Sequence, residues 1–208
     1  MGKVTAQLSM SLDGYIAGPN VAPDNPMGDG GEELHEWVFG LKSWREPQGL
    51  EGGDEGVDDE VSKENFVNKG AVVMGRTMFD LGEIPWGENP PYHNPVFVVT
   101  HRPKETVVKQ GGTSYAFVPD FDTAMERARE AAGERDISIA GGANVVQQAI
   151  EAGVLDEIDV HIAPRFLGGG TRLFDNISAR DKFEIVRVIG SPEITHVKYR
   201  LTGARTGA

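Results

Sequence analysis

Three short stretches combine glycine with cationic or hydroxyl side chains at the ends of apolar runs, a pattern suited to holding anionic oxygens. In Ile139-Ala140-Gly141-Gly142-Ala143-Asn144, paired glycines separate a strand-like run from a helix-like one, so backbone amides can approach an anion at a helix start. The same residues also describe a tight turn capped by Asn144. Val73-Met74-Gly75-Arg76-Thr77 repeats the layout, with a guanidinium and a hydroxyl beside the helix start. Thr100-His101-Arg102-Pro103-Lys104 is the third such turn. One basic turn is ordinarily a solvated surface feature. Two of them with a Gly-Gly turn, in a chain of 20 basic and 32 acidic residues, point to a ligand with separated phosphates, a dinucleotide of the NADP rather than the NAD type.

These turns need strands that end together. Lys3 to Met10 alternates Val4, Ala6, Leu8 and Met10 with polar partners, as a half-buried strand does. Ala71–Gly75, Val96–Thr100, Ser114–Val118 and Ile137–Ala140 are short apolar runs of the kind buried on both faces of a parallel sheet. Helical segments separate them at Thr77–Leu81, Phe121–Ala132 and Asn144–Ala152, and earlier helices are expected over Glu32–Gly40 and Asp58–Lys69. Residues 11–30 are expected as a long loop. Glu157–Ala163, Phe183–Ile189 and Thr195–Leu201 follow with no helix between them and predict an antiparallel edge. Open α/β sheets bind ligands at the carboxyl ends of their strands, where the three turns fall.

The joint order of Ser11-Leu12-Asp13-Gly14, Met74-Gly75-Arg76-Thr77-Met78-Phe79, Thr100-His101-Arg102-Pro103, Ala140-Gly141-Gly142-Ala143 and Pro164-Arg165-Phe166-Leu167-Gly168-Gly169-Gly170 resembles the dihydrofolate reductase-like family. The likeness is closer to its branch containing the riboflavin-biosynthesis reductase domain and spans residues 2–202. It implies a three-layer α/β fold with a mixed, mostly parallel sheet of about eight strands and an antiparallel C-terminal edge. NADPH would bind across the strand ends and pass hydride to a pteridine-like, pyrimidine-like or related conjugated substrate. By position, Gly75, Arg76 and Thr77 would contact cofactor phosphates, and Thr100, His101 and Arg102 would lie near the adenosine ribose phosphate. Gly141, Gly142, Ala143 and Asn144 would form the pyrophosphate loop, with a cis bond between the glycines, and Ile16 and Ala17 would touch the nicotinamide.

The resemblance also asks for a carboxylate on the first helix, and Glu32-Glu33-Leu34-His35-Glu36-Trp37 offers Glu33, His35 and Glu36, which equally suit the dipole of a first helical turn. Asp13 is the other candidate to supply or orient the proton; an Asp before Gly also ties its own turn. Trp37, Trp44, Trp86 and Tyr92 are candidates to wall a flat substrate or to fill the core. Leu167 and Gly168 would close over the ligand, and Arg165 and Arg172 flank that segment.

Other chemistries are excluded. With no cysteine there is no thiolate metal site, disulfide or cysteine nucleophile, and five histidines without HExxH make no metal site; His93, His161 and His196 stand isolated. Composition, at 208 residues with 39% hydrophobic and 25% charged, is that of an ordinary globular chain, here read as one domain. Asp24–Glu60 carries 12 acidic and two basic residues, so the charge excess is concentrated there. An acidic, glycine-rich loop is expected at 42–57, and it lacks the register of a calcium loop. That balance argues against nucleic-acid binding, and no apolar run is long enough to span a membrane. The expectation is a cytoplasmic homodimer taking a small-molecule substrate. Two readings stand beside NADPH-dependent reduction: a nucleotide-binding or sensing protein without efficient turnover, and a reductase using another redox cofactor.

Overall fold

A computed structural model describes residues 2–178 and 183–202. The chain forms strands β1 (Val4–Ser11), β2 (Tyr15–Ala17), β3 (Lys69–Gly75), β4 (Pro95–Val99), β5 (Val107–Val108), β6 (Ser114–Val118), β7 (Asp136–Gly141), β8 (Glu157–Ala163), β9 (Thr171–Arg172), β10 (Phe183–Gly190) and β11 (Thr195–Leu201). The α-helices are α1 (Glu36–Phe39), α2 (Lys42–Arg45), α3 (Val57–Glu64), α4 (Arg76–Gly82), α5 (Phe121–Ala132) and α6 (Ala143–Glu151). Nine strands make one sheet in the order β10-β11-β8-β1-β7-β3-β4-β6-β5, and β2 pairs with β9 apart from it. The central pairs from β8 to β6 are parallel; β10, β11 and β5 are antiparallel edges.

The dihydrofolate reductase-like, three-layer arrangement follows from which faces are apolar. Val4 and Ala6 of β1 join Ala71, Val73, Ile137 and Ile139 beneath α5 and α6. Asp120 caps α5 by accepting from the Thr123 amide at 2.7 Å, and Phe121, Ala124, Met125, Ala128 and Ala132 form its buried stripe. Small residues let α5 sit close to the sheet: a Cβ at Gly70 would lie 2.8 Å from Ala132 Cα. On the opposite face, Val72, Met74, Val96 and Val98 pack with Phe79 of α4 and Tyr115. Leu34, Trp37 and Leu41 cover Ala163 and Ile194 on that same side. Because both faces of β3 are covered, Ala71 to Met74 is uniformly buried, which is why it shows no alternation.

Several local expectations are corrected. The helix expected over Glu32–Gly40 is a 3₁₀ turn, Gly31–Leu34, then His35, then the single turn of α1. Gly30, in the left-handed region at φ 72°, and Gly40 bracket a stretch too short to repay helix nucleation, so Leu34, Trp37 and Leu41 are placed by packing instead. The second expected helix stops at Glu64, and Asn68 turns through φ 59° into β3. The acidic stretch 42–57 is not wholly loop: α2 lies within it, and it folds back through Asp54 N–H to Gly40 O (2.9 Å), Lys42 N–H to Asp54 O (3.0 Å) and a Lys42–Glu55 ion pair. Residues 11–30 contain β2, which pairs with the short strand β9 outside the main sheet, and β5 adds a short edge strand to that sheet. Each of these three strands has only two or three residues, too few to alternate visibly.

Candidate active site

All three turns lie at one end of the parallel strands. Gly75 leads β3 into α4, and a Cβ there would meet Val145 Cγ2 of α6 at 3.2 Å and Gly142 N at 3.7 Å, so the first and second turns adjoin. The Gly141-Gly142 peptide is cis, with Gly141 at φ 126°. Gly142 precedes α6 without a side-chain cap, and a Cβ on it would touch nothing within 4 Å. Asn144 does not cap the helix; its Oδ1 accepts from Gln148 Nε2 at 2.7 Å. The space beside Gly142, just before the uncapped start of α6, is therefore open.

The third turn joins the second through a shared carboxylate. Arg76 Nε donates to Asp80 Oδ1 at 2.6 Å, and Arg102 Nη2 donates to Asp80 Oδ2 at 2.8 Å. Arg76 Nη1 also reaches Arg102 O at 3.2 Å. Two guanidinium groups from successive strand ends are thereby held side by side over one acid, leaving a net positive patch. Thr100 Oγ1 is not free: it accepts from the Arg102 amide at 3.0 Å and shapes the turn. Thr100 and His101, with Phe117 and Pro119, line a cleft of about 240 Å³. Thr77 is exposed at the start of α4.

Asp13 lies at the end of β1 and is committed to geometry. Its carboxylate accepts from Ser11 Oγ (2.6 Å), Leu167 N–H (3.1 Å) and Gly168 N–H (2.8 Å). These bonds, the Ser11 hydroxyl foremost, hold its pKa down to about 2 against partial desolvation. Arg172 donates to the Asp13 carbonyl at 2.9 Å and lies over the Tyr15 ring at 4.8 Å. The structure thus ties Leu167 and Gly168 to the loop after β1, and β2 pairs Ala17 with Thr171 beside them. Ile16 packs into the apolar cluster that contains Val145 and Val146 of α6. Gly170, at φ 113°, lets the chain pass Ala17: a Cβ there would lie 2.1 Å from Ala17 O.

The candidates preceding α1 and within it separate. Glu36 is exposed and faces Arg165 at 3.9 Å, while Glu33 pairs with Arg165 at 3.1 Å. His35 Nδ1 lies 3.2 Å from Gly31 O, and burial lowers its pKa. Trp37 is 8% exposed, and its Nε1 donates to Ser9 Oγ at 3.0 Å. Trp86 packs edge-on to Tyr92 and parallel to Tyr115, beyond the far end of α4 from the turns, so it is not brought to Leu167 and Gly168.

Two buried histidines far apart in sequence meet across the sheet. His196 sits opposite His161 in the β11–β8 ladder, and their Nδ1 atoms are 2.7 Å apart. His161 Nε2 is 2.7 Å from Gln7 Nε2, and His196 Nε2 is 3.0 Å from Asp58 Oδ1. The Trp37 ring contacts both imidazoles, at centroid distances of 4.8 and 5.0 Å. Burial first, then the His196 ring and nearby cations, pushes the His161 pKa down to about 3. The two histidines are 35 residues apart in sequence and meet only through strand register, although both occupy alternating positions that a register model could have aligned.

The fold and these strand-end turns define a dihydrofolate reductase-like α/β protein. The family model of the RibD C-terminal domain matches residues 2–197, and the chain belongs to that family. An uncharacterized protein of Bacillus subtilis (strain 168), YyaP, is 24% identical over 191 residues, covering 88% of this chain and 86% of that protein. Among solved structures, a protein of Shewanella sp. PV-4 assigned to riboflavin biosynthesis superposes with TM-score 0.67 at 21% identity, covering 97% of this chain and 99% of that one. Dihydrofolate reductase from Enterococcus faecalis, complexed with NADP(H) and RAB-propyl, superposes with TM-score 0.57 at 15% identity over 97% of this chain and 98% of that one. Among the described residues, no helix is long and apolar enough to cross a membrane, and no group of three His, Cys, Asp or Glu could hold a metal ion.

Proposed function

We propose that the chain is an NADPH-dependent reductase of a small pteridine-like, pyrimidine-like or related conjugated heterocycle. The observation that carries the reading is the convergence of the Arg76–Asp80–Arg102 group and the open Gly141-Gly142 turn at one end of the sheet. The site fits the cofactor on its own terms. A Cβ-sized space at Gly142 is empty, α6 lacks a side-chain cap, and the cleft by Thr100 and His101 continues the surface beyond the arginines. Gly142, Ala143 and Asn144 would hold the pyrophosphate through amides, with Gly75 and Thr77 beside them. Arg76 and Arg102 would take the ribose phosphate, with their charge balanced but not cancelled by Asp80. Ile16 and Ala17 would face the nicotinamide. When bound, the cofactor supplies a hydride.

The protein's own contribution is orientation and exclusion of water. Asp13 fastens Leu167 and Gly168 over the end of β1, acting as a positioning group rather than an acid, because a carboxyl with a pKa of about 2 carries no proton to give at neutral pH. Glu36 and His35 then remain as the groups that could order a water for protonation. Trp37 serves the core, and Leu167 and Gly168 the lid. The exposed Ile185, Val186 and Val188 on the edge strand β10 support a homodimer. Asp13's full engagement also favours a second reading, a nucleotide-binding protein with slow turnover. One assay separates them: loss of reduced-nicotinamide absorbance on adding dihydrofolate or 6-aminouracil compounds. Oxidation dependent on substrate supports the reductase; NADPH binding with no oxidation by any conjugated heterocycle refutes it.

A further inference from the structure

Thr5, Gln7, Ser9 and Ser11 form the polar face of β1, on the side that carries α1 to α4. That helical layer has a gap. Helix α4 packs on β3 and β4, and the Leu34–Trp37–Leu41 cluster covers Ala163 and Ile194. Thr5 and Gln7 of β1 and Ala140 of β7 lie on central strands of a nine-stranded sheet and yet keep solvent exposure. The helical layer thus leaves this strip of β1 and β7 incompletely covered, a shallow groove with Gln7 on its floor and Lys69, whose Nζ donates to Thr5 Oγ1 at 2.8 Å, at its Thr5 end.

We infer that Gln7 is a specificity-determining residue that accepts a ring N–H of the substrate, and that the buried Asp58–His196–His161 chain fixes its amide in the orientation to do so. The assignment rests on the reductase reading, because it places the substrate heterocycle in this groove. The polarity follows by elimination along the chain. A carboxylate only accepts, so His196 Nε2, which faces Asp58, carries a proton. Burial keeps His161 neutral, and the amide nitrogen of Gln7 faces its Nε2, so the His161 proton is on Nδ1 and His196 Nδ1 accepts it across the 2.7 Å contact. His161 Nε2 is left as an acceptor, satisfied by Gln7 Nε2 at 2.7 Å. The Gln7 carbonyl oxygen is directed elsewhere, with no protein partner among the described residues. Trp37 locks both rings by contact and anchors itself to Ser9 Oγ, so neither imidazole can turn to reverse the sequence of donors. An amide held this way discriminates, because a ligand lacking the N–H leaves an acceptor unpaired. The ligand class is a cyclic amide or amidine with an unsubstituted ring nitrogen.

Two measurements test this on the whole 208-residue chain. Ring ¹⁵N shifts of labelled histidine at neutral pH should show the Nδ1–H form for His161 and the Nε2–H form for His196, a signature that packing alone would not select. An Nε2–H form of His161, or a doubly protonated His196, overturns the inference. Calorimetric titration with 6-aminouracil and its 1,3-dimethyl analogue should favour the unmethylated probe by about tenfold, the worth of one hydrogen bond. The preference should fall to about one in Gln7→Met, which conserves volume, and should weaken in Asp58→Asn, where the anchor can donate as well as accept. Equal or absent binding of the two probes by the native protein, or an unchanged preference in Gln7→Met, also overturns it. If the tautomers and the preference hold while no heterocycle oxidises NADPH, the reductase reading fails by itself; if oxidation occurs and the preference ignores Gln7, this inference fails alone.

Discussion

Replacing Trp37 by Phe isolates what the indole does. The ring is 8% exposed, packs on His161 and His196, and donates from Nε1 to a Ser9 hydroxyl that is itself 7% exposed. Phe keeps a ring against the imidazoles but removes the donor and part of the volume. Stranding a buried hydroxyl costs about 1–3 kcal/mol. The lost ring atoms leave a small void that adds roughly 1 kcal/mol. The expected destabilisation is therefore about 2–4 kcal/mol, which for a chain of this size lowers Tm by roughly 5–12 °C. Urea unfolding followed by circular dichroism measures it. In parallel, KM for the reducible heterocycle should stay within about threefold, because the indole faces the core rather than the groove. A stability change below about 0.5 kcal/mol together with a large rise in KM would refute the placement and make Trp37 a substrate wall.

Gly142→Ala should fold normally, since its Cβ meets nothing within 4 Å at an ordinary φ of −72°, yet weaken NADPH binding about tenfold or more by filling the anion space; thermal melts and fluorescence titration separate the two effects. Gly170→Ala puts a Cβ 2.1 Å from Ala17 O at φ 113°, so the β2–β9 pairing must shift, and turnover should fall more than Tm. Asp13→Asn removes the charge that gathers Leu167 and Gly168, and should raise proteolytic cleavage near residues 165–170 while leaving the sheet intact. Glu64 pairs with Arg187 and Lys198, and its pKa is lowered to about 2 despite opposing desolvation. Because the folded value is depressed, its contribution is present above the ordinary glutamate range and is lost as pH falls from about 4.5 toward 2. Glu64→Gln should flatten the acid limb of the urea-midpoint profile in that window; an unchanged limb would assign it to other carboxylates.

The parts readable from sequence are those set by local pattern. Helix α5 and strands β6, β8 and β11 fall where apolar periodicity puts them, and the Gly-Gly turn carries the cis bond that the family resemblance implies. What escaped is set by distant partners. His35 interrupts an amphipathic stretch because Leu34 and Trp37 are held by Ala163 and Ile194, far along the chain. Asp13 is adjacent in sequence only to its turn, while its amide donors are at Leu167 and Gly168. Asp80, which unites the two arginine turns, reads as an ordinary helix residue until Arg102 is seen beside it. The His161–His196 pair depends on antiparallel register, which spacing does not encode.

The central claim is that three strand-end turns form one NADPH site, and fluorescence titration of the purified protein with NADPH and NADH, repeated on Arg76→Ala and Arg102→Ala, tests it most directly. The account predicts tighter binding of NADPH than of NADH, with that preference cut about tenfold or more in either variant, as expected for loss of a charge-assisted contact. Equal affinity for the two nucleotides, or a preference that survives both substitutions, would contradict it.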